Sequence, residues 1–233
     1  MIGISFNIVL NSFFDFFLPR VCPACNNKMN YEEQCICADC FSKIEAASPE
    51  RLLSEYRRKF EGKNIISGFT SLFVFKKDEE LQHIIHSIKY QKRFQNGIFL
   101  GKVMGVDLAD KIAEWEVNLL LPVPLHRLKK AERGYNQSYY IAKGLKKILN
   151  IEACSSAVKR ARYTQSQTTM NIAERAENMA DAFKVTGRKK ISGKNILLID
   201  DVITTGATTS ECGRVLLAAG ANKVYAASVA IAD

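Results

Sequence analysis

Ile196, Leu197, Leu198 and Ile199 run without a polar interruption into Asp200 and Asp201, and a threonine-rich loop around Gly206 follows at once. An aliphatic run of this kind, closed by turn residues, reads as a strand buried on both faces, and a sheet covered by helices on each side provides such a place. The same alternation recurs along the chain. Strand-like runs stand at residues 68–75, 117–123, 196–199 and 224–231, and helical patterns at 79–90, 98–115, 135–149 and 208–219. The expectation is an α/β fold, a parallel sheet flanked by helices. With 233 residues, 47% of them hydrophobic, the chain can fill one such domain and a small appendage.

Ligands of open α/β sheets bind at the carboxyl ends of the strands, where this segment turns from apolar to polar. Residues 202–207 lie between the strand and the next helix, whose N-terminus offers unpaired backbone N–H groups with positive dipole character. An anion such as phosphate fits there. Gly206 lets the backbone approach it, and the hydroxyls of Thr204, Thr205, Thr208 and Thr209 add donors without charge. Asp200 and Asp201 would repel a phosphate, so they must face donors or positive charge. Vicinal sugar hydroxyls beside a Mg²⁺ meet that requirement. The ligand so described is a ribose with a phosphate on one side and its diol on the other.

Five of the seven cysteines fall between residues 22 and 40. Cys22, Cys25, Cys37 and Cys40 form two C-x2-C knuckles, a spacing that places four thiolates around a structural Zn²⁺. Reduced buried thiols and a redox pair are the alternatives, and Cys35, two residues before Cys37, is a competing ligand for the third position. A boundary near 45–60 divides the chain into an apolar helix with the zinc module at 1–48 and the α/β domain at 49–233. The first eighteen residues are apolar, but Asn7, Asn11, Ser12 and Asp15 interrupt them and no basic n-region precedes them. We expect neither a membrane span nor a signal peptide there, but an amphipathic helix carrying Phe6, Leu10, Phe13, Phe14 and Phe17. Metal-held thiols without a signal peptide suggest the cytoplasm.

Lysine and arginine outnumber the acids 33 to 24, a net charge of +9 that favours polyanionic partners without naming one. Arg127, Lys129, Lys130 and Arg133 follow Pro122 and Pro124 at a predicted strand end, and Arg160, Arg162, Arg188, Lys189, Lys190 and Lys194 form further clusters. Such runs are commonly solvated faces. They also match phosphate contacts along a nucleic acid, with Tyr135, Tyr139 and Tyr163 available for stacking. His83 and His86, three apart on a predicted helix, suit surface or packing roles better than metal binding.

The string IDDVITTGATT resembles the PRPP-binding signature of the type I phosphoribosyltransferases. That resemblance implies PRPP with Mg²⁺ as the ligand, with Asp200 and Asp201 as the candidate catalytic residues on the ribose. The phosphate loop is then Val202, Ile203, Thr204, Thr205, Gly206, Ala207, Thr208 and Thr209. It also implies a pyrophosphate loop at Pro124, Leu125, His126 and Arg127, often of unusual peptide geometry, and a flexible loop within 159–183 that closes over PRPP through Arg160, Arg162, Gln165, Gln167 and Arg175. Taken in order, CPAC, CADC, LPVPLHRLKKAERGYNQS, RYTQSQ, NIAERAENMADAF and the PRPP signature resemble the ComF family, of the ComFC type. That implies handling of single-stranded DNA in natural transformation beside a ComF helicase partner, through Arg127, Lys129, Lys130, Arg133, Arg160 and Arg162. An active phosphoribosyltransferase acting on a nucleobase or related acceptor is the alternative. Against it, only the N-terminal module is left to cover the base.

Overall fold

The structure is a computed structural model, and residues 19–30, 32–162 and 181–232 are described. The apolar N-terminal helix expected at 1–18, and Tyr163, Gln165, Gln167 and Arg175 of the expected flexible loop, lie outside them.

Four strands form one parallel sheet: β1 (Gly68–Val74), β2 (Leu119–Pro122), β5 (Asn195–Ile203) and β6 (Lys223–Ile231), in the order β1-β6-β5-β2. Leu121 lies opposite Leu198 in one pairing and Asp200 opposite Ser228 in the next, so the ends of β2 and β5 sit side by side. A separate antiparallel hairpin joins β3 (Val158–Arg160) to β4 (Phe183–Val185). The helices among the described residues, in chain order, are α1 (Ala38–Ser42), α2 (Pro49–Lys59), α3 (Glu80–Tyr90), α4 (Phe94–Asp107), α5 (Ala109–Glu114), α6 (Arg127–Arg133), α7 (Gln137–Leu149), α8 (Arg188–Ile191) and α9 (Ala207–Ala218).

Side chains alternate across the sheet and feed two cores. Leu197 and Ile199 of β5 join Ile84, Ile88, Leu100 and Ile141 of α3, α4 and α7 on one face. Ile196 and Leu198 join Phe60, Phe183, Cys212 and Leu216 on the other. The continuous aliphatic strand therefore has its physical reason, since both faces are covered. Residues of the cysteine segment, Cys22, Ile36 and Cys40 among them, belong to the first core.

Helices α4 and α7 cross in near backbone contact. A Cβ on Gly101 would lie 2.0 Å from the carbonyl oxygen of Ile141, and one on Gly144 2.3 Å from that of Ile98. Backbone cannot yield as a flexible side chain does, so the helix propensity that alanine would gain, about 1 kcal/mol, is outweighed. Gly144→Ala is expected to destabilise the fold by about 3 kcal/mol or more, read as a lower urea midpoint. An unchanged midpoint would contradict this packing.

The structure differs from the sequence reading in several places. The helix expected over 98–115 breaks at Leu108 into α4 and α5. The basic run after Pro124 is helical, with His126 as its N-cap. The charged stretch near Arg57, Arg58 and Lys59 is also a helix, α2, started by Ser48 and Pro49. Neither β3 nor β4 was signalled by pattern, because three-residue strands are too short to display a period.

Candidate functional site

At the end of β5 the chain turns through Gly206 into α9. Gly206 has φ +74° and serves as the helix N-cap, and a Cβ on it would lie 2.7 Å from Cε1 of Phe60. Both the left-handed backbone and the close approach of α2 require glycine here. Lys59, next to Phe60, is buried, ion-paired to Glu55 at 2.9 Å, and donates to the carbonyl of Ala232 at 2.9 Å. The back of the loop is thus held rigidly. In front of it, Asp200, Val202, Ile203, Thr204, Thr205, Gly206, Ala207, Thr208 and Thr209 line one shallow cup at the N-terminus of α9. This is the loop expected from the sequence, and the first-turn N–H groups of a helix favour an anion in such a cup.

The two acids are placed differently. Asp200 Oδ1 accepts from Ser138 Oγ at 3.0 Å and from its neighbour's backbone N–H at 2.9 Å. Asp201 does not line the cup. It is buried on the α3 side, where its Oδ2 lies 2.7 Å from Lys89 Nζ and its Oδ1 accepts from the backbone N–H of Val202 at 2.8 Å. Burial, then the charge of Asp201, push the Asp200 carboxyl up to about 7. Burial also acts to raise Asp201, but Lys89 overcomes it and holds that carboxyl below its ordinary value.

Beside the acids opens a cleft of ≈ 830 Å³, whose walls include Arg127, Lys130 and Arg160 together with Tyr135, Tyr139 and Tyr140. Pro124 and Leu125 also line it. Asn136 ties this cleft to the site: its Oδ1 caps α7 at Ser138 N, and its amide donates to the carbonyl of Val123 at the end of β2. Ser138 then reaches Asp200. His126 is buried and accepts from Leu128 N through Nδ1, and burial followed by Arg127 lowers its proton affinity. Lys129 is lowered by burial and then by Arg160.

Not every predicted residue converges. Arg133 lies over the ring of Tyr90 at 5.3 Å, and Arg162 is exposed outside the cleft lining. Arg188 lines a different groove with Val185 and Val215. His83 and His86 are exposed, and His86 packs on Tyr90. No cis peptide occurs among the described residues, so the unusual geometry implied for the loop at 124–127 is not of that kind. The sequence reading missed Lys89, Asn136 and Ser138 as neighbours of the acids. An asparagine before a helical run is a capping signal that could have flagged Asn136; Ser138 stands at the end of the GYNQS string and Lys89 on a helix that the family resemblance included, but nothing in the sequence paired either with an acid.

The cysteines converge on one point. The Sγ atoms of Cys22, Cys25, Cys37 and Cys40 all lie within 4.8 Å of one another, and Cys25 and Cys37 are 3.8 Å apart. A tetrahedral zinc with Zn–S bonds of about 2.3 Å has sulfur–sulfur edges of about 3.8 Å, so this donor set fits the ion. Cys35 is buried outside the cluster, and burial pushes its thiol up to about 11. Cys37, and not Cys35, stands at the third position of the cluster. Although burial acts to raise it, the Cys22 thiol is drawn down to about 7 by the backbone N–H groups of Cys37, Cys25 and Ala24. Such N–H donors prepare a thiolate for metal.

The Phosphoribosyl transferase domain family matches residues 136–232, which include the cup and both acids. "Competence protein F" of Haemophilus influenzae is 28% identical over 150 residues, 63% of this chain and 66% of that protein. "DNA utilization protein YhgH" of Escherichia coli is 30% identical over 149 residues, 62% of this chain and 64% of that protein. The match therefore spans just under two thirds of either relative. "Competence protein ComFC" of Streptococcus pneumoniae is 25% identical over 201 residues, 83% of this chain and 86% of that protein. Among solved structures, the glutamine PRPP amidotransferase of B. subtilis complexed with ADP and GMP aligns over 57% of this chain and 26% of its own, at 21% identity and a TM-score of 0.40. A purine phosphoribosyltransferase from Pyrococcus horikoshii aligns over 57% and 74%, at 18% identity and a TM-score of 0.37.

Proposed function

Because the chain is a homologue of competence protein F, ComFC and YhgH and carries a phosphoribosyl transferase domain with a four-cysteine cluster, we propose that it binds the ribose 5-phosphate group of PRPP and handles single-stranded DNA during DNA uptake. The observation that carries this reading is the juxtaposition of a threonine-lined cup, one acid at its rim and a basic, aromatic cleft alongside. The phosphate is held by the first turn of α9 and the loop hydroxyls, and Asp200 accepts hydrogen bonds from the ribose diol. Mg²⁺ accompanies PRPP and offsets the charge of its pyrophosphate.

Arg127, Lys130 and Arg160 contact DNA phosphates while Tyr139 stacks on a base, with Lys129, Arg133 and Arg162 extending the basic track. In this reading residues 1–48 form the zinc module, 49–233 form the ribose-phosphate domain, and the protein works in the cytoplasm beside a ComF-type helicase. Two titrations test it. PRPP with Mg²⁺, added to the full chain, is expected to bind with heat release. Affinity for an oligo-dT strand is expected to fall steeply with salt, and Arg127→Ala with Lys130→Ala should reduce the log–log slope by about 1.4, at about 0.7 per phosphate contact. Tyr139→Ala should cost roughly fivefold or more, about 1 kcal/mol being the low end for one stacked base. Salt-independent DNA binding, or none, would refute the nucleic-acid half.

The size of the cleft favours a second reading. A space of ≈ 830 Å³, walled in part by Arg160, whose charge reaches Asp200, admits an acceptor larger than pyrophosphate, and with an acceptor there the same site would transfer a phosphoribosyl group. Pyrophosphate release dependent on PRPP, Mg²⁺ and one particular acceptor would establish it. No release across a broad panel of bases would leave binding alone.

A further inference from the structure

Two adjacent acids at a strand end look equivalent in sequence, yet their surroundings divide them. Asp200 bonds to Ser138 in the first turn of α7, and Asp201 reaches α3, whose Ile84 and Ile88 pack with Leu197 and Ile199. There both oxygens of Asp201 are engaged, Oδ1 by the N–H of Val202 and Oδ2 by Lys89 at 2.7 Å. Asp200 instead lines the cup, and its Oδ2 accepts no hydrogen bond among the described residues.

Lys89 is itself held in place. Tyr135 Oη donates to the carbonyl of Ile88, Asn96 fixes Ser87 through a 2.9 Å bond, and Arg133 covers Tyr90. The lysine side chain is 22% exposed and that of Asp201 7%, so the pair is poorly screened.

We propose that Lys89 is the positioning residue of the ribose-phosphate site: it fixes Asp201 against α3 and, through the hydrogen bond from Val202 N to Asp201, sets the end of β5 and the phosphate loop that follows. Without the clamp, the end of β5 would lose the anchor that orients Val202 and the loop after it. The proposal rests on the ribose-phosphate reading and names the residue that sets its geometry.

Calorimetric titration of the full chain with ribose 5-phosphate and with PRPP plus Mg²⁺ tests it. Lys89→Met is expected to weaken both by about tenfold or more, whereas Lys89→Arg, which keeps the charge, binds within about threefold of the parent. Lys89→Gln keeps a donor for Asp201 and so preserves folding should Lys89→Met not fold, and it is expected to lose about tenfold as well. Because Lys89 acts through Asp201, Lys89→Met in an Asp201→Asn background should change affinity by less than about twofold. The proposal is overturned if the Met and Gln variants bind like the parent, if Arg fails to restore binding, or if the two losses multiply. A parent chain that binds neither ligand would remove the ribose-phosphate reading and this inference together. A parent that binds, beside a Lys89→Met variant that binds equally, would remove this inference alone.

Discussion

Stripping zinc from the metal-loaded chain with a chelator is expected to unfold the cysteine segment and to loosen one face of the sheet with it. Structural zinc held by cysteine knuckles contributes on the order of 10 kcal/mol at neutral pH, far more than any single side chain. Cys22, Ile36 and Cys40 are buried in the same core as α3, α4 and α7, and Arg93 at the start of α4 donates to the carbonyl of Val21. Phe41 packs edge-on against both Phe73 of β1 and Phe99 of α4. Residues 45–47 add a short edge to β1 through Val74 N to Glu45 O and Ala47 N to Leu72 O. Metal loss therefore exposes aromatic surface from the main core. Elemental analysis should give about one zinc per chain, and near-ultraviolet circular dichroism should collapse on chelation. Cys40→Ser should reproduce the loss, while Cys35→Ser, outside the cluster, should retain the metal. A chelated chain with an unchanged spectrum and thermal midpoint would show the cluster to be dispensable.

Much of the site was legible because it is local. A strand buried on both faces, a glycine at a left-handed turn and four cysteines at knuckle spacing each leave a signature within about twenty residues, and each appears where expected. What escaped was made by tertiary contact. The clamp on Asp201 joins α3 to β5, and nothing in the sequence pairs Lys89 with an acid more than a hundred residues away. The basic run after Pro124 became α6 because His126 caps it and Gly134, at φ +82°, closes it. The run's charge had drawn attention away from those two signals. Asp200 and Asp201 look like one pair in the sequence, but tertiary contacts separate them, Asp200 reaching Ser138 of α7 and Asp201 reaching Lys89 of α3.

That separation gives the two acids opposite effects on stability. For the ligand-free chain, Asp200→Asn is expected to be more stable than the parent at pH 8 and equal to it near pH 4. In the folded chain burial and the neighbouring Asp201 charge raise the Asp200 carboxyl from 3.8 to about 7, so the folded state binds this proton more tightly than the unfolded state does. Below 3.8 both states are protonated, and the contribution is fully present. As pH climbs towards 7 the unfolded chain ionises freely and the folded chain does not, so stability drains away across that window and stays lost above it. Asparagine keeps the oxygen that accepts from Ser138 Oγ and the backbone but cannot ionise, which recovers about 1–3 kcal/mol at pH 8. Asp201 carries the reverse sign, because Asp201→Asn leaves Lys89 without its partner and should cost about 3 kcal/mol. Urea midpoints of the two variants at pH 4 and pH 8 decide the point, and an Asp200→Asn chain less stable than the parent at pH 8 would contradict the assignment. The same substitution is expected to weaken ribose 5-phosphate binding by roughly a hundredfold, as two charge-assisted hydrogen bonds to the diol become neutral ones. Greater stability with lost affinity is the behaviour of a residue kept for its ligand, and it would place Asp200 in the site on grounds independent of any resemblance.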